Sequence, residues 1–469
     1  MKKFAALLLA LTMVLGMATI TASAEGSERV ITIGTTWDLY WDSFDGSIED
    51  NPYYSGTTAD EMKFAKVKQI EEKWGVKFEY INLTYAGAKE SINTSVLAGT
   101  PDVDVYMMDL ALAAPAAANG YVIDMRDVLP ADNTVIQGKD AVLSYIDTGS
   151  GAVQLLCDNN AENMVGSTMP LAFNLQMIED ANLEDPRDLV ERGEWTWEKF
   201  RKYCKTLTKD TDGDGNIDVY GFGGWPGDYF MNLVMSNGTN VAATATENLS
   251  SPEVGEVLQF MQDLNLVDKV MYPIPEENGW DVCRFLYRDG KVAFTPIAAW
   301  IMDSNKDYAF QSPDSPTLDF DMVFIPWPIG PHGNAETNAQ KVTANACYVI
   351  PVGVEDPELV YNVLYDLLNW YNYDPNSEDG GAAALAIRDD PETLGWWYGV
   401  TAKDIDLQDY NFEVMMEMGR HQMLDRYGSL GDDAELPLRE FINGDYTTAQ
   451  LQEKYRQTIQ DAIDGILGK

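Results

Sequence analysis

The chain has 469 residues, of which 75 are aspartate or glutamate and 32 are lysine or arginine, so its formal net charge at pH 7 is -43. Nucleic acids and anionic lipid surfaces bind proteins through basic surface, and this excess of acid argues against both as partners. Only two histidines occur, His332 and His421, which disfavours a histidine-rich zinc site and a hydrolase that pairs a nucleophile with histidine.

The first residues have the pattern of a secretory signal peptide. Two lysines precede an apolar run over residues 4–20, and Ala22-Ser23-Ala24 forms a small-residue cleavage site. We expect residues 1–24 to be removed, which leaves an exported chain that begins at Glu25 and carries a formal charge of -45 because the two lysines are lost. No later apolar stretch approaches about 20 residues, and no cysteine follows the apolar run. The sequence therefore predicts a soluble exported protein without a lipid anchor.

The four cysteines are widely spaced and include no metal-binding pair of the C-x-x-C kind. In an extracellular protein they allow up to two disulfides in three alternative pairings. Buried free thiols fit the sequence equally well, because a chain of this length can bury a large core without covalent links. The four residues are Cys157, Cys204, Cys283 and Cys347.

Predicted elements of the first 120 residues alternate between strand and helix. Gly75 is expected to end the first helix, and Gly99 with Pro101 the second. This alternation predicts a doubly wound parallel sheet. Strands are expected at residues 30–33, 76–80 and 103–107, and helices at 60–74 and 86–98. An alanine-rich segment follows at residues 110–118.

After Gly149-Ser150-Gly151 the pattern changes. Residues 168–173 are expected to be extended, and Asp185-Pro186 to open a short helix. Thr196 is expected to cap an amphipathic helix that ends near Lys209. Two further helices are expected at residues 357–368 and 448–466.

An aspartate loop follows the helix that Thr196 caps. Alternate residues of a tight loop turn their oxygens toward one centre, and Gly215 at the sixth position permits the bend, as in helix-bounded calcium loops. The twelfth position of such a loop is Gly221 here rather than a bidentate glutamate. Water or a distant carboxylate must therefore complete the coordination shell of the ion. The alternative is a solvated acidic turn. The expected Ca²⁺ ligands are the side chains of Asp210, Asp212 and Asp214, the backbone carbonyl of Asn216, and Asp218 in direct or water-mediated contact. The ion is expected to hold the end of the preceding helix.

Several segments, in their order along the chain, resemble those of the extracellular solute-binding proteins, family 1, which feed sugars to ABC importers. Two features depart from that family's pattern: no lipid-anchoring cysteine follows the signal, and Ser167–Met169 lacks the alternating apolar and tyrosine residues. The similar segments are Thr168–Asn174, Ala181–Pro186, Gly193–Phe200, the aspartate loop with Tyr220-Gly221-Phe222, Phe285–Trp300 and Ile325–Pro331.

The resemblance implies an α/β protein with the two-lobed periplasmic-binding-protein-like fold of type II and a ligand cleft between the lobes. It implies a receptor rather than an enzyme, which captures a carbohydrate, expected to be an oligosaccharide, and delivers it to the permease of an ABC importer. A monomer is expected. The implied first lobe comprises residues 25–150 with about 295–345, and the second lobe 151–294 with about 346–469.

Candidate ligand-binding residues follow from where strands end, because ligands of open parallel sheets bind beyond the carboxyl ends of strands. Aromatic faces stack on the C–H faces of sugar rings, and carboxylates and amides bind hydroxyl groups. Trp74 and Trp197 lie on apolar helix faces and are expected in the core. The candidates at strand ends are Trp37, Tyr40, Trp41 and Asp109. Trp225, Trp396 and Trp397 are candidates because neighbouring glycines suggest loops that expose their rings. Trp300 follows a strand and matches a cleft tryptophan of the family that the chain resembles, and Asn174 is added from the same resemblance.

Two rival functions remain open at the level of sequence. A cleft lined by aromatic residues and carboxylates also suits a peptide or a polyamine, through cation-π contacts and ion pairs. A secreted glycoside hydrolase uses the same residue types, and with so many acidic residues the presence of carboxylate pairs discriminates nothing. No nucleophile elbow, phosphate loop or H-E-x-x-H motif occurs, and the order of the segments favours the receptor.

Overall fold

Two β-sheets, each covered by helices, form the framework of the protein. The computed structural model describes residues 29–38, 47–51, 54, 56–160, 168–275, 279–298, 318–336, 338, 340–341, 347–390, 405–420, 422–423 and 436–467. The expected signal peptide lies outside these residues. None of the described helices has the length and apolar character that a membrane crossing requires.

The first lobe contains a six-stranded sheet with the strand order β2-β1-β3-β11-β5-β4. Strands β2, β1 and β3 are parallel, as the alternation of strand and helix predicts, whereas β11 runs antiparallel to both of its neighbours and β4 antiparallel to β5. The sheet is therefore mixed rather than wholly parallel. Its strands are β1 (Arg29–Thr35), β2 (Val76–Asn82), β3 (Val105–Met108), β4 (Leu143–Ile146), β5 (Leu155–Asp158) and β11 (Cys347–Val349).

Helices cover both faces of this sheet because side chains of a strand alternate between faces. In β3, Val105 and Met107 join one apolar core, and Tyr106 and Met108 join the other. The first helix begins where Thr57 accepts a hydrogen bond from the Asp60 N–H, and it ends at Gly75, whose φ of 65° is left-handed. The helices of this lobe are α1 (Thr58–Trp74), α2 (Tyr85–Ser95), α3 (Leu110–Ala118), α10 (Pro357–Leu368) and α11 (Ala382–Arg388).

The second lobe contains a four-stranded sheet with the order β7-β8-β6-β9. Strand β6 runs antiparallel to both neighbours, and β7 is parallel to β8. Strands β7, β8 and β9 therefore end at the edge where β6 begins, which we call the Trp225 edge for the loop found there. The strands are β6 (Leu171–Asn174), β7 (Tyr220–Phe222), β8 (Val292–Pro296) and β9 (Met322–Ile325).

Helices of the second lobe also pack on both sheet faces. The helix predicted to start at Thr196 does so, with the Thr196 side chain accepting from the Lys199 N–H. Trp197 lies in the core as expected, stacked on Phe260 with 4.4 Å between ring centroids. The helices are α4 (Leu175–Asp180), α5 (Pro186–Glu191), α6 (Trp197–Leu207), α7 (Pro226–Ser236), α8 (Pro252–Gln262), α9 (Gly279–Arg288), α12 (Ile405–Arg420), α13 (Leu438–Ile442) and α14 (Thr448–Ile466).

Short elements complete the described chain. Single turns occur at Ile48–Asp50 and Met125–Asp127, and a π-helical turn at Asp263–Val267 extends α8. A two-stranded parallel ladder joins β10 (Gln340–Lys341) to β12 (Gln422–Met423).

The strand pairing differs from the lobe boundaries expected from the sequence. Strand β9 lies in the second sheet, although about 295–345 was expected in the first lobe, and β11 lies in the first sheet, although the expectation for 346–469 was the second lobe. Strand β5 also belongs to the first sheet. The chain thus passes between the sheets after β5, after β9 and before α12. The neighbours of a strand within a sheet are set by long-range pairing, which the strand's own residues do not specify.

Candidate functional site

The loop that follows β7 carries the candidate Trp225 at the edge named after it. Its backbone is fixed by a hydrogen bond of 3.0 Å from the Gly223 N–H to the Phe294 carbonyl of β8. Gly224 is required by close packing, since a Cβ there would lie 2.6 Å from Cδ of Pro296. Gly227 lies against the indole, with a Cβ position 3.3 Å from the Trp225 ring. Glycine thus lets the loop pack closely against Pro296 before Trp225 and against the Trp225 ring after it.

Trp225 is half-buried and rests on the apolar core of the second lobe. Neighbouring aromatic rings in that core hold the loop's base: Phe222, the last residue of β7, packs edge-on against Tyr229 with centroids 5.0 Å apart. Trp327 follows β9 at the same edge, is completely buried, and donates from Nε1 to the Met169 carbonyl at 2.8 Å. The exposed part of Trp225 is therefore presented from a rigid support.

A cavity of about 400 Å³ lies beside Trp225. Its walls are Trp225, Pro226 and Gly227 on one side and the chain at residues 436–440, where α13 begins, on the other. This volume lies within the range of small-molecule sites, roughly 300–1,000 Å³. The cavity combines an aromatic ring with two charged residues, Arg439 and Glu440.

The two charged residues form an ion pair. Nη2 of Arg439 donates to Oε1 of Glu440 at 2.8 Å, and their side chains are partly exposed. Partial burial acts to raise the pKa of Glu440, but the hydrogen bond from Arg439, a backbone hydrogen bond and the positive charge of Arg439 together outweigh it, so the pKa lies below the usual glutamate value. Glu440 is therefore ionised at neutral pH, and the pair offers both a hydrogen-bond acceptor and spare guanidinium donors without net charge.

Sequence reasoning missed Arg439 and Glu440. Adjacent charges of opposite sign are common on surface helices, and nothing local marks this pair. Pro437 before an apolar residue signals a helix start. The position of that helix start beside the Trp225 loop depends, however, on contacts between segments more than 200 residues apart in sequence.

The first lobe presents a polar set where β1 and β2 end. Trp37 is partly buried against the core of this lobe, and its carbonyl accepts a hydrogen bond from the Thr35 hydroxyl. The exposed Asp38 accepts from Nδ2 of Asn82 at 3.0 Å, and the Asn82 Oδ1 in turn accepts from the Thr84 N–H at 2.8 Å. These bonds fix the carboxylate of Asp38 and the amide of Asn82 at the strand ends, where hydroxyl groups of a ligand can bind.

Asp109 immediately follows β3 and precedes α3, as expected for a strand-end residue. It is partly buried. It contributes to the raised pKa of the buried Cys347 thiol, after the hydrogen bond with Cys157 and burial itself. Asp109 and Trp37 thus lie at the strand ends of one sheet, whereas Trp225 lies at the strand ends of the other.

Asn174 does not belong with Trp225. Strand β6 is antiparallel to its neighbours, and Asn174 is paired with Met322 at the start of β9, on the edge opposite the Trp225 edge. Its side chain is 3% exposed and accepts from the Met177 N–H at 3.1 Å, which caps α4. A capping role accounts for this residue, because its oxygen satisfies a donor that the helix leaves unpaired.

Five further candidates lie outside the described residues. They are Tyr40, Trp41, Trp300, Trp396 and Trp397.

The aspartate loop lies at the same opposite edge, between α6 and the start of β7. Carboxylate oxygens of Asp210, Asp212 and Asp218 lie within 4.8 Å of one another, and all three residues are exposed. Hydrogen bonds from the Thr211 N–H and hydroxyl, both 2.6 Å, lower the pKa of Asp218. Gly215 has a φ of 93°, the left-handed bend that the sequence predicts there.

The other two expected ligands are arranged differently. Oδ1 of Asp214 accepts from the Asn216 N–H at 2.7 Å, and its Oδ2 accepts from the Asn216 side chain at 2.9 Å. Oxygens of Asp210 accept from the Gly213 and Gly215 N–H groups and keep further lone pairs. The donor set is entirely oxygen, which is the chemistry that Ca²⁺ prefers.

These features define a class of protein: two α/β lobes joined by several chain crossings, each with polar and aromatic residues at its strand ends, as in ligand-binding proteins with a cleft. The family model for bacterial extracellular solute-binding proteins matches residues 55–372, about two thirds of the chain. The chain belongs to that family, as the sequence resemblance indicates. Its members are receptors for solutes.

Solved structures share the fold. An ABC substrate-binding protein from Listeria monocytogenes in complex with cycloalternan is 14% identical, with a TM-score of 0.59 over 93% of this chain and 99% of that one. The maltose/maltodextrin-binding domain MalE from Bdellovibrio bacteriovorus bound to maltotriose is 15% identical, with a TM-score of 0.56 over 92% and 99%.

A solute-binding protein of an ABC transporter from Agrobacterium radiobacter K84, in complex with ribitol, is 15% identical, with a TM-score of 0.58 over 92% and 98%. The likeness confirms the two-lobed fold. No curated protein sequence matches the chain significantly.

Proposed function

We propose that the protein is an exported receptor that captures a carbohydrate between its lobes and delivers it to the permease of an ABC importer. The observation that carries this proposal is the half-buried Trp225 beside a cavity of about 400 Å³ that also contains Arg439 and Glu440. An aromatic face with paired hydrogen-bonding charges matches a sugar ring, which has apolar C–H faces and hydroxyl groups around its rim.

The solved relatives support the same ligand class. Cycloalternan, maltotriose and ribitol are all polyhydroxylated, although they differ in size. We expect an oligosaccharide, bound by a monomeric receptor. A sugar that contacts both lobes at once binds the closed form more tightly than the open form. This difference in binding free energy favours closure, and the permease would recognise the closed form.

Charge balance at the cavity disfavours the polyamine and cationic-peptide alternatives. Glu440 is already paired with Arg439 at 2.8 Å, so the described residues that line the cavity carry no uncompensated negative charge for a cation. A cation would have to compete with a guanidinium for the same carboxylate. A neutral polyol can instead accept from Arg439 and donate to Glu440 without separating them.

The test is isothermal titration calorimetry of the mature protein with maltose, maltotriose, a cyclic glucan, ribitol, spermidine and a tripeptide. Trp225→Ala and Trp225→Phe are compared with Trp74→Phe, a control in the first lobe whose indole donates to Asp366 at 2.7 Å. We expect Trp225→Ala to weaken carbohydrate binding by roughly 5- to 30-fold, or about 1–2 kcal/mol, and Trp225→Phe to weaken it less.

Equal binding by the wild type and Trp225→Ala would refute the assignment of this cavity. Binding of spermidine or the tripeptide but of no carbohydrate would refute the ligand class. Release of reducing sugar from an oligosaccharide would establish the hydrolase instead of the receptor.

We also infer that the aspartate loop binds Ca²⁺, on the observation that three carboxylates converge within 4.8 Å. Asp210, Asp212 and Asp218 would supply side-chain oxygens, and the ion would neutralise mutual repulsion at the end of α6. Ligand binding stabilises the folded state by about 2.7 kcal/mol when free ion stands at roughly 100 times its dissociation constant. A chelator should therefore lower the melting temperature of the wild type but not that of Asp212→Asn. Equal responses of the wild type and Asp212→Asn to the chelator would show that the loop is an acidic turn without a bound ion.

A further inference from the structure

Two cysteines lie directly opposite each other on neighbouring strands of the first sheet. Cys157 of β5 is paired with Cys347 of β11 in the antiparallel register, and their Sγ atoms are 3.8 Å apart. Both are buried, with exposed fractions of 4% and 0%. Residues that face each other across antiparallel strands have Cα atoms about 4.5–5.5 Å apart, which lies inside the range of about 4.4–6.8 Å found for disulfides.

These two strands are also where the chain leaves and re-enters the first lobe. Strand β5 is the last strand of the first sheet before the chain passes to β6, and β11 is the first after the chain returns from β9. The two cysteines are 190 positions apart in sequence. A bond between them would close a loop that contains all four strands of the second sheet.

We infer that Cys157 and Cys347 form a disulfide that ties together the exit and return strands of the first lobe. The inference rests on the proposed export of the protein, because disulfides form and persist in oxidising surroundings. This bond is compatible with only one of the three pairings that the sequence leaves open, and it is one of the two bonds of that pairing. The closed loop contains the four strands of the second sheet, whereas α12, α13 and α14 of the second lobe follow Cys347 and lie outside it.

The oxidant is a low-molecular-weight disulfide, RSSR, such as oxidised glutathione. One cysteine thiolate attacks RSSR, forming a mixed disulfide and releasing one RS⁻. The second cysteine thiolate then attacks the protein sulfur of the mixed disulfide, forming the Cys157–Cys347 bond and releasing the second RS⁻. The two protons lost by the cysteines are taken up by the two RS⁻ groups, which yields two RSH.

The structure also indicates when this exchange takes place. The hydrogen bond with Cys157, burial, and the charge of Asp109 all raise the pKa of the Cys347 thiol, which disfavours the attacking thiolate in the folded protein. Access of RSSR is blocked by the same burial. The bond should therefore form while β11 is joining the sheet, and afterwards it should resist reduction until the protein unfolds.

The remaining cysteines provide internal controls in the second lobe. Cys204 on α6 and Cys283 on α9 are 0% and 1% exposed. Burial raises the pKa of both thiols, that of Cys283 to about 12. They lie in a lobe separate from the pair and are expected to stay reduced.

The experiment uses the mature chain refolded with reduced and oxidised glutathione, then denatured and treated with iodoacetamide without prior reduction. We expect two alkylated residues, Cys204 and Cys283, and a protease digest that contains one peptide pair linked through Cys157 and Cys347. Four alkylated cysteines, or a linkage that includes Cys204 or Cys283, would overturn the inference.

A second measurement tests the effect on stability. Reductant should lower the melting temperature of the wild type and of Cys283→Ala by roughly 5 °C or more, because the closed loop is long. It should leave the double variant C157A/C347A unchanged, and an equal response of that variant would contradict the inference. Carbohydrate titrations of wild type and double variant, run alongside, report on the receptor function separately, since neither Cys157 nor Cys347 is among the described residues that line the cavity beside Trp225.

Discussion

One buried charge cluster holds α6 against the turn that follows α8, and its removal gives a quantitative test of the structure. The side chain of Asp268 is 2% exposed. It accepts from Nε and Nη2 of Arg201, the latter at 2.9 Å, and from Nζ of Lys205 at 2.8 Å. Arg201 and Lys205 stand one helical turn apart on α6, so they share the face that meets Asp268. Asp268→Asn removes the charge and keeps the shape.

The size of the effect follows from distance and exposure. At 2.9 Å and an effective dielectric constant near 20, two unit charges attract by about 6 kcal/mol before any desolvation cost. Much of this attraction does not contribute to stability, because the side chains of Arg201 and Lys205 are 31% and 50% exposed. Water can solvate both side chains when the carboxylate is removed. We expect Asp268→Asn to lower the free energy of unfolding by about 1–3 kcal/mol at pH 7.

The stabilisation by Asp268 should depend on pH in a definite direction. Burial acts to raise the pKa of Asp268, but the hydrogen bonds from Arg201 and Lys205 and the positive charges of the same two residues together outweigh it, so the folded-state pKa lies below the ordinary value of 3.8. A lowered pKa stabilises the folded protein above the unfolded-state value, and this stabilisation is lost as the pH falls through the folded-state value. The difference between wild type and variant should therefore be complete at pH 7 and shrink below about pH 4.

The assay is urea unfolding followed by tryptophan fluorescence at several pH values between neutral and acidic. The control is Asp180→Asn, whose carboxylate accepts from Gln176 on the exposed surface of α4 at 2.9 Å. The control should change stability by less than about 0.5 kcal/mol. An Asp268→Asn difference that equals the control, or that does not diminish at acidic pH, would refute the reasoning.

Two further substitutions test the Trp225 loop and a helix cap. Gly224→Ala places a Cβ 2.6 Å from Cδ and 2.8 Å from Cγ of Pro296, so the loop must shift. We expect carbohydrate affinity, measured by calorimetry, to fall at least about 10-fold. An unchanged affinity would show that the loop does not position the ligand. Thr447→Ala removes the hydroxyl that accepts from the Gln450 N–H at the start of α14, while the Thr447 N–H can still donate to the Gln450 side chain. Thermal unfolding should show a loss of about 1 kcal/mol, and equal stability would contradict the capping assignment.

Helix boundaries were predictable from sequence because their signals are local. Thr196 and Gly75 act through neighbours within four positions, the first by accepting from Lys199 and the second by its left-handed φ of 65°. Such signals depend little on the rest of the fold.

Strand partners and the composition of the site were not predictable, because they depend on segments far apart. The residues of β11 are as apolar as those of β9, and nothing in either strand states which sheet it joins. Asn174 follows a strand, as a ligand residue should, but the antiparallel direction of β6 takes it to the edge opposite Trp225. The contact of residues 436–440 with Trp225 likewise follows only from the folded chain.

The same strand directions separate the aspartate loop from the ligand. The loop precedes β7 and Trp225 follows it, so the two lie at opposite ends of a strand of three residues. Gly221 of β7 packs so closely on α6 that a Cβ would lie 2.2 Å from the Cys204 carbonyl oxygen, and its N–H donates to the Thr208 hydroxyl at 3.0 Å.

An ion in the loop would therefore strengthen the attachment of α6 to β7 without reaching the Trp225 ring. We expect a chelator to lower the melting temperature while the carbohydrate dissociation constant, measured well below the unfolding transition, stays within about twofold. A tenfold loss of affinity with chelator would show that β7 transmits the state of the loop to the ligand edge, and the two sites would then have to be treated as one coupled unit.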